Sequence, residues 1–258
     1  MEKSKVLETI KVLREFSKKR NFKQSVDLII NLKEINVKKQ DSQIDQYTVL
    51  PHPRKKKLKI CALVGSELAE SAKVFDEIVV QQDFPKYQAN PELINALTKK
   101  FDVFVAQANI MTQIATTFGR TLGPKGLMPN PKAGCVVAPG TDLNVISAKL
   151  QKTVRLQAKK EPIIKASIGS EDMGDEDLAE NILSVYNSLV PSLPQEEGNV
   201  KNVLLKTTMS PAIKIGEKKE EIEAKLKGKD RLKKKTKKED KKAKDAKKKE
   251  TKKEIKNE

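Results

Sequence analysis

The chain has 258 residues, with 52 Lys+Arg against 35 Asp+Glu, a formal net charge of +17, and only 37% hydrophobic residues. A single histidine and two cysteines without a CxxC pair exclude a zinc cage and a disulfide framework. The first twenty residues lack the apolar core of a signal peptide and no apolar run approaches the roughly 18 residues of a membrane helix, so a soluble, cytoplasmic chain of one or two domains is expected, with no membrane partner.

Val6, Ile10 and Leu13, widened by Leu7 and Phe16, predict an amphipathic helix over 3–19. In "FKQSVDLIINL", Val26, Leu28, Ile30 and Leu32 alternate, which predicts a half-buried strand with "QYTVL" (46–50) as its neighbour. At "LKICALVG" (58–65) the run is continuously apolar, as in a parallel strand covered on both faces. A helix at about 66–75, a strand at "EIVV" (77–80) and a helix at "PELINALTKK" (91–100) come next, with Asn90 as the last helix's N-cap and Pro91 in its first position. "FDVFVAQA" (101–108) predicts another buried strand and 109–118 another helix. The stretch "FGRTLGPKGLMPNPKAG" (118–134) combines Gly119, Gly123, Gly126 and Gly134 with Pro124, Pro129 and Pro131, and is expected to be a shaped loop rather than helix or central strand. Then come a helix at 141–152, two strands at 153–159 and 162–169 read as a hairpin, an acidic-headed helix at 175–190, and a last strand from Asn199 to Met209.

The fold class is therefore α/β. Half-buried sheet and helix at both chain ends predict a split α+β domain from 1–57 and 151–216, with an inserted Rossmann-like three-layer α/β domain over 58–150. Connections near 54–58 and 150–153 would form a double hinge. The remainder, 217–258, holds 20 Lys+Arg and 11 Asp+Glu with almost no apolar content, and is expected to be a disordered Lys-rich tail.

Removing that tail leaves 32 basic and 24 acidic residues, so the body is basic in its own right and a polyanionic partner is expected. The glycine-rich stretch fits neither G-x-x-x-x-G-K-[ST], since Leu127 comes after Gly126, nor the dinucleotide pattern G-x-G-x-x-G. No nucleophile, base and carboxylate stand at a meaningful spacing; His52 is alone between Pro51 and Pro53. No enzyme activity, cofactor or metal is expected. In "KKRNFKQS" (18–25), Phe22 stands among Lys18, Lys19, Arg20 and Lys23, a composition suited to phosphate and base contacts; equally, Phe22 could plug the core beneath the first helix. "KTTMSP" (206–211) ends the last strand with two hydroxyls and a thioether, which suit 2′-OH, phosphate and sugar contacts, or form an ordinary turn.

Taken together, "GRTLGPKGLMPNP", "NFKQSVDLIINLK", "KTTMSP" and "IGSEDMGDEDLAENI" (168–182) resemble the large-subunit ribosomal protein L-one family, in its archaeal type, over about 1–216. The resemblance implies a two-domain, monomeric protein at the base of the mobile side stalk of the large ribosomal subunit. Its split domain would bind ribosomal RNA, its stalk would aid release of exit-site tRNA, and it would repress translation by binding its own messenger RNA. It also implies RNA contacts from Phe22, from Ser25 in place of the family's nearby hydroxyl residue, from Thr208 and Met209, and from Lys165. Ser210 stands where the family usually has glycine, which raises the question of a positive φ there. The competing readings are a nucleotide-dependent α/β enzyme, which the motif mismatch opposes, and a Lys-rich DNA-binding protein, which leaves the structured halves unexplained.

Overall fold

The computed structural model describes residues 1–35, 43–54, 57–159, 161–217 and 219–222. Both chain ends build one hydrophobic core. Helix α1 (Lys3–Phe16) buries Val6, Thr9, Ile10 and Leu13 along one stripe. Strand β1 (Ser25–Leu32) alternates without a break, sending Val26, Leu28, Ile30 and Leu32 inward. With β8 (Ile163–Ser170) on one side and β9 (Val200–Thr207) on the other, then β10 (Ile213–Lys214), it forms an antiparallel sheet in the order β10-β9-β1-β8. The inner face is covered by α1 and by α6 (Asp175–Leu189), whose first turn carries Asp175, Glu176 and Asp177, where the helix dipole favours negative charge. Gly169 allows α6 to sit close on β8: a Cβ there would lie 2.4 Å from Leu178 Cδ2 and 2.8 Å from Met173 Sδ.

Two strand pairings differ from the sequence expectation. β2 (Ile44–Val49) pairs antiparallel with β7 (Thr153–Ala158) rather than with β1, and β7 and β8 share no ladder. Both sides of β1 are taken by β8 and β9, so the two remaining strands form a ribbon of their own. That ribbon still serves the same core, contributing Ile44, Leu50, Val154, Leu156 and Ala158. Alternation reads burial; it does not say which edge a strand meets.

Residues 60–152 form a parallel sheet of β3 (Ile60–Val64), β4 (Glu77–Val80), β5 (Val103–Gln107) and β6 (Val136–Val137), ordered β4-β3-β5-β6. All five residues of β3 are buried because both faces are covered. Cys61, Leu63, Phe104 and Ala106 face α2 (Phe84–Ala89), α3 (Pro91–Lys100) and α4 (Met111–Lys125). Ile60, Ala62, Val64 and Val105 face α5 (Leu143–Lys152) and two 3-10 turns. This is the three-layer arrangement of an α/β fold.

Here too the structure corrects details. Residues 66–75 form 3-10 turns, Ser66–Leu68 and Ser71–Val74, not one helix. Asn90 precedes α3 but its side chain caps nothing, whereas Asp142 caps α5, accepting from Asn144 N–H at 3.0 Å. The first half of the supposed glycine loop is helix: α4 runs through Gly119, Gly123 and Pro124 to Lys125. Ile114, Phe118 and Leu122, four residues apart, are fully buried. Each such burial is worth about 1.5–3 kcal/mol, more than the roughly 1 kcal/mol that each helical glycine costs. Pro124 falls in the last turn, and Gly126 (φ 68°) ends the helix. Its N–H donates to Gly123 O at 3.0 Å, and Leu127 N–H to Leu122 O at 3.0 Å, the paired bonds of a Schellman cap.

The two connections lie side by side. Leu58 N–H donates to Gln151 Oε1 at 2.8 Å and Gln151 Nε2 donates back to Leu58 O at 2.8 Å. Next to them, Arg155 donates to both Asp45 oxygens at 2.8 and 2.7 Å, lies over the Tyr47 ring and reaches Gly126 O at 3.5 Å. The expected tail boundary also moves. Lys219–Ile222 are described, and Ile222 is buried in the core that α1 builds. Residues 223–258, which hold most of the expected tail, lie outside the described residues. Among the described residues no helix is long and apolar enough to cross a membrane.

Candidate nucleic-acid interface

Among the described residues, α1 and α6 pack on the inner face of the end-derived sheet and the outer face carries no helix. Strand alternation sends Ser25, Asp27, Ile29 and Asn31 of β1 outward, and register sets Ser167, Lys165 and Ile163 of β8 and Lys206, Leu204 and Asn202 of β9 beside the last three. At one end of this face, the loop after α1 and the turn after β9 meet. Phe22 is 51% exposed and Met209 is 59% exposed, the two most exposed large hydrophobic side chains of the rim. Phe22 therefore does not plug the core. Lys18, Lys19 and Arg20 are exposed beside it.

Hydrogen bonds fix the rim. Thr208 N–H donates to Ser25 O at 3.1 Å, Ser25 N–H donates to Thr208 Oγ1 at 3.1 Å, and the Ser25 and Thr208 hydroxyls stand 3.1 Å apart. Ser210 Oγ accepts from Thr207 N–H at 2.8 Å and donates to Pro211 O at 3.1 Å, while Ser210 N–H closes the turn on Thr207 O at 3.2 Å. Among the described residues the non-glycine residues with positive φ are Glu34 and Glu196, so Ser210 sits in a conformation that does not call for glycine. Its hydroxyl instead ties the turn internally.

The structure thus brings Phe22, Ser25, Thr208, Met209 and Ser210 together. Lys165 stands apart from them: it pairs with Ile29, four residues along β1 from Ser25, or about 13 Å at the strand rise. It shares the outer face but not the rim.

One residue at the centre of the rim escapes a sequence reading for binding groups. Gln24 is 1% exposed. Its Oε1 accepts from Met209 N–H at 3.2 Å, its Nε2 donates to Ser17 Oγ at 3.3 Å and to Lys18 O at 3.1 Å, and its carbonyl accepts from Glu171 N–H at 2.9 Å. The side-chain amide therefore joins the end of α1 to the turn after β9, and the backbone carbonyl of the same residue adds the turn after β8. The available signal was parity: Gln24 precedes Val26, Leu28 and Ile30 on the inward phase, and a polar residue there must find partners. Lys23 pairs with Asp172 at 2.8 Å, and that hydrogen bond raises its pKa, so the ammonium stays charged.

Burial pushes the Cys61 thiol up to about 12 and raises Cys135, so neither is poised as a nucleophile. Lys125, the cation of the glycine-rich stretch, donates to Asn95 Oδ1 at 3.1 Å and to Thr98 on α3. With α4 and its cap occupying that stretch, no strand-to-helix phosphate cradle forms there. His52 bonds Glu180 at 2.9 Å on the surface of α6, and no group of three or more His, Cys, Asp or Glu able to hold a metal occurs among the described residues.

The family model described as "Ribosomal protein L1p/L10e family" matches residues 13–211. The "Large ribosomal subunit protein uL1" of Thermococcus kodakarensis is 38% identical over 217 residues, covering 83% of this chain and 98% of that protein. The proteins of the same name from Pyrococcus abyssi and Nanoarchaeum equitans are 37% and 39% identical, covering 83% and 81% of this chain and 96% and 98% of their own lengths. With a match over most of its length, in both the sheet that carries the rim and the parallel sheet beside it, the chain belongs to the Ribosomal protein L1p/L10e family, a family of ribosomal proteins and not of enzymes.

Proposed function

We propose that this chain is a structural constituent of the large ribosomal subunit and binds ribosomal RNA at the mobile side stalk. The observation that carries the reading is the rim: Phe22 and Met209 exposed, the paired hydroxyls of Ser25 and Thr208, and the exposed cations Lys18, Lys19 and Arg20 in the same loop as Phe22. Exposed aromatic and thioether surfaces stack on bases and sugars, hydroxyls meet 2′-OH and phosphate oxygens, and cations neutralise the backbone. The open outer face offers Lys165 and Lys206 for further backbone contact. In this reading the stalk works beside the exit-site tRNA and aids its release, and the same rim binds a similar fold in the chain's own messenger RNA, repressing translation. No cofactor takes part.

Binding to a stalk-type RNA hairpin, a duplex DNA of equal charge and ATP, compared side by side, tests the reading. The hairpin is expected to bind at least about a thousandfold tighter than the DNA, the lower end of the usual gap between specific and non-specific nucleic-acid binding. Equal affinity for hairpin and DNA would replace it with a non-specific Lys-rich binder, and tight ATP binding with a nucleotide-dependent protein.

A further inference from the structure

Between the rim and the two connections lies a cleft of about 610 Å³, bordered by Lys23, Ser25, Arg54, Ser167, Ser170 and Asp172. Ser25 belongs to both places: its hydroxyl meets Thr208 on the rim, and it borders the cleft. The sheet is irregular here. Val26 pairs with Gly169 and Asp27 with Ser167, which leaves Ile168 as the extra residue of a bulge, a feature that bends a strand and recurs beside binding sites. Asp172 is matched by Lys23 at 2.8 Å, so of these six side chains Arg54 carries the unmatched charge. Arg54 is firmly placed but sparingly bonded. Two residues before it, His52 is clamped to α6: its N–H donates to Asn181 Oδ1 at 3.0 Å, and the fully buried Asn181 donates back to His52 O at 3.1 Å. A guanidinium has five N–H donors and keeps its charge in proteins. Arg54 makes one bond, from Nη2 to Thr153 O at 3.2 Å on the other connection, and its Nε is buried without a hydrogen-bond partner. Burial lowers its pKa, and Asp102 opposes this only through its charge. A buried donor of a charged group without a partner is rare, because leaving it so is costly. Arg54 also borders two smaller cavities against the parallel-sheet unit, but each carries a carboxylate, Asp102 or Asp76, that no ion pair matches among the described residues, which disfavours an anion there.

We propose that this cleft takes a backbone phosphate of the RNA bound at the rim, with Arg54 as its charge partner and Ser167 as a hydroxyl donor. The inference rests on the RNA reading of the rim. Among the described residues the Ser167 hydroxyl has no hydrogen-bond partner, and Ser167 stands on the outward phase of β8, two residues from Lys165 on the same face. A phosphate fits these groups because its oxygens accept from two N–H groups of one guanidinium at once and from a hydroxyl as well. RNA rather than a free anion is the source because Ser25 joins the cleft to the rim. A strand held at Phe22 and Thr208 presents its neighbouring phosphates to the cleft at high local concentration, so the second contact is intramolecular. Arg54 lies on one connection and bonds the other, so the same phosphate is held at the crossing between the two parts of the molecule.

The full chain, Arg54→Met and Ser167→Ala test it, each titrated with a stalk-type RNA hairpin, with a random RNA of matched length, and with a series of the same hairpin in which one phosphate at a time is replaced by an uncharged methylphosphonate. For the full chain, neutralising one linkage next to the rim-bound nucleotides is expected to weaken binding about tenfold or more, the scale of a hydrogen bond to a charged group. Arg54→Met is expected to bind the unmodified hairpin more weakly by a similar factor, to lose its sensitivity at that linkage alone, and to show a salt slope shallower by about 0.7–0.9, one phosphate contact. An Arg54→Met protein that binds the hairpin as tightly as the full chain overturns the proposal. So does one that binds more weakly yet keeps the full chain's sensitivity at every linkage, since the arginine would then act through the fold. Thermal melts accompany each titration. If Arg54→Met does not fold, Ser167→Ala, on the open face, decides: reduced sensitivity at one linkage is expected, and an unchanged series overturns the cleft. Should the full chain fail to prefer the hairpin to random RNA, the RNA reading of the rim itself fails, and that outcome is distinct from a preference for the hairpin in which no linkage depends on Arg54.

Discussion

At the rim, two neighbouring residues separate binding from folding. Phe22 is exposed and packs in none of the buried clusters, so Phe22→Ala is expected to change unfolding stability by less than about 0.5 kcal/mol. If its ring stacks on RNA, the same substitution weakens hairpin binding by about 1–3 kcal/mol. Thermal melts beside binding titrations decide this, and a stable Phe22→Ala protein that binds normally removes Phe22 from the contact set. Gln24 is the opposite case. Replacing it with Ala strips the partner from Met209 N–H in a buried site, so it acts on stability first and on binding through the loosened rim. The sequence singled out Phe22 among its cations but left it open between a binding role and a core role, and the exposure of the ring decided between them. The buried half was hidden, because a glutamine before a strand looks like any polar loop residue until Met209 and Glu171, far along the chain, are in place beside it.

At the scale of elements, the helix α4 shows how local and tertiary preferences compete. Glycine and proline content alone argues against a helix over 118–125, and the structure overrules it because Phe118 and Leu122 extend a stripe begun at Ile114. The rings of Phe84 and Phe118 meet edge to face at 5.3 Å, which adds specificity to that contact. The helix then needs a sharp end, and only Gly126 supplies it at low cost. A Cβ at Gly126 would meet Arg155 Nη1 at 3.5 Å, an ordinary contact, so its substitution is governed by backbone strain rather than by space. Gly126→Ala is expected to destabilise the chain by about 1–2 kcal/mol, the cost of a left-handed conformation for a residue with a side chain. Denaturant unfolding measures it, and a value near zero would mean that the turn relaxes out of the left-handed region. The stripe at 114, 118 and 122 was present in the sequence throughout; the weight given to glycine and proline concealed it.

For the whole molecule, the adjacency of the two connections leads to a prediction about the rim. Leu58 and Gln151 are joined by two hydrogen bonds, so a short linker can replace residues 59–150 without pulling on β2 or β7. The core built by the two chain ends keeps all its buried residues in such a protein. Hairpin affinity is expected to stay within about tenfold, or about 1.4 kcal/mol. Loss of specific binding by an excised protein with a cooperative melt would show that the parallel-sheet unit contributes to recognition. Tyr47, which packs against that unit, becomes exposed and is the place where solubility would suffer. By itself the sequence determined what depends on local periodicity and composition: the longer strands and most helices, the two-sided burial of 60–64, the basic body, and the motifs that carry the family. Tertiary structure alone decided which strands pair, because alternation is blind to the edge a strand meets. It also decided that 118–125 is helical, because burial against α2 and the sheet outweighs propensity, and that Ile222 belongs to the core, because a lone apolar residue in a charged run gains its meaning only from the surface it meets.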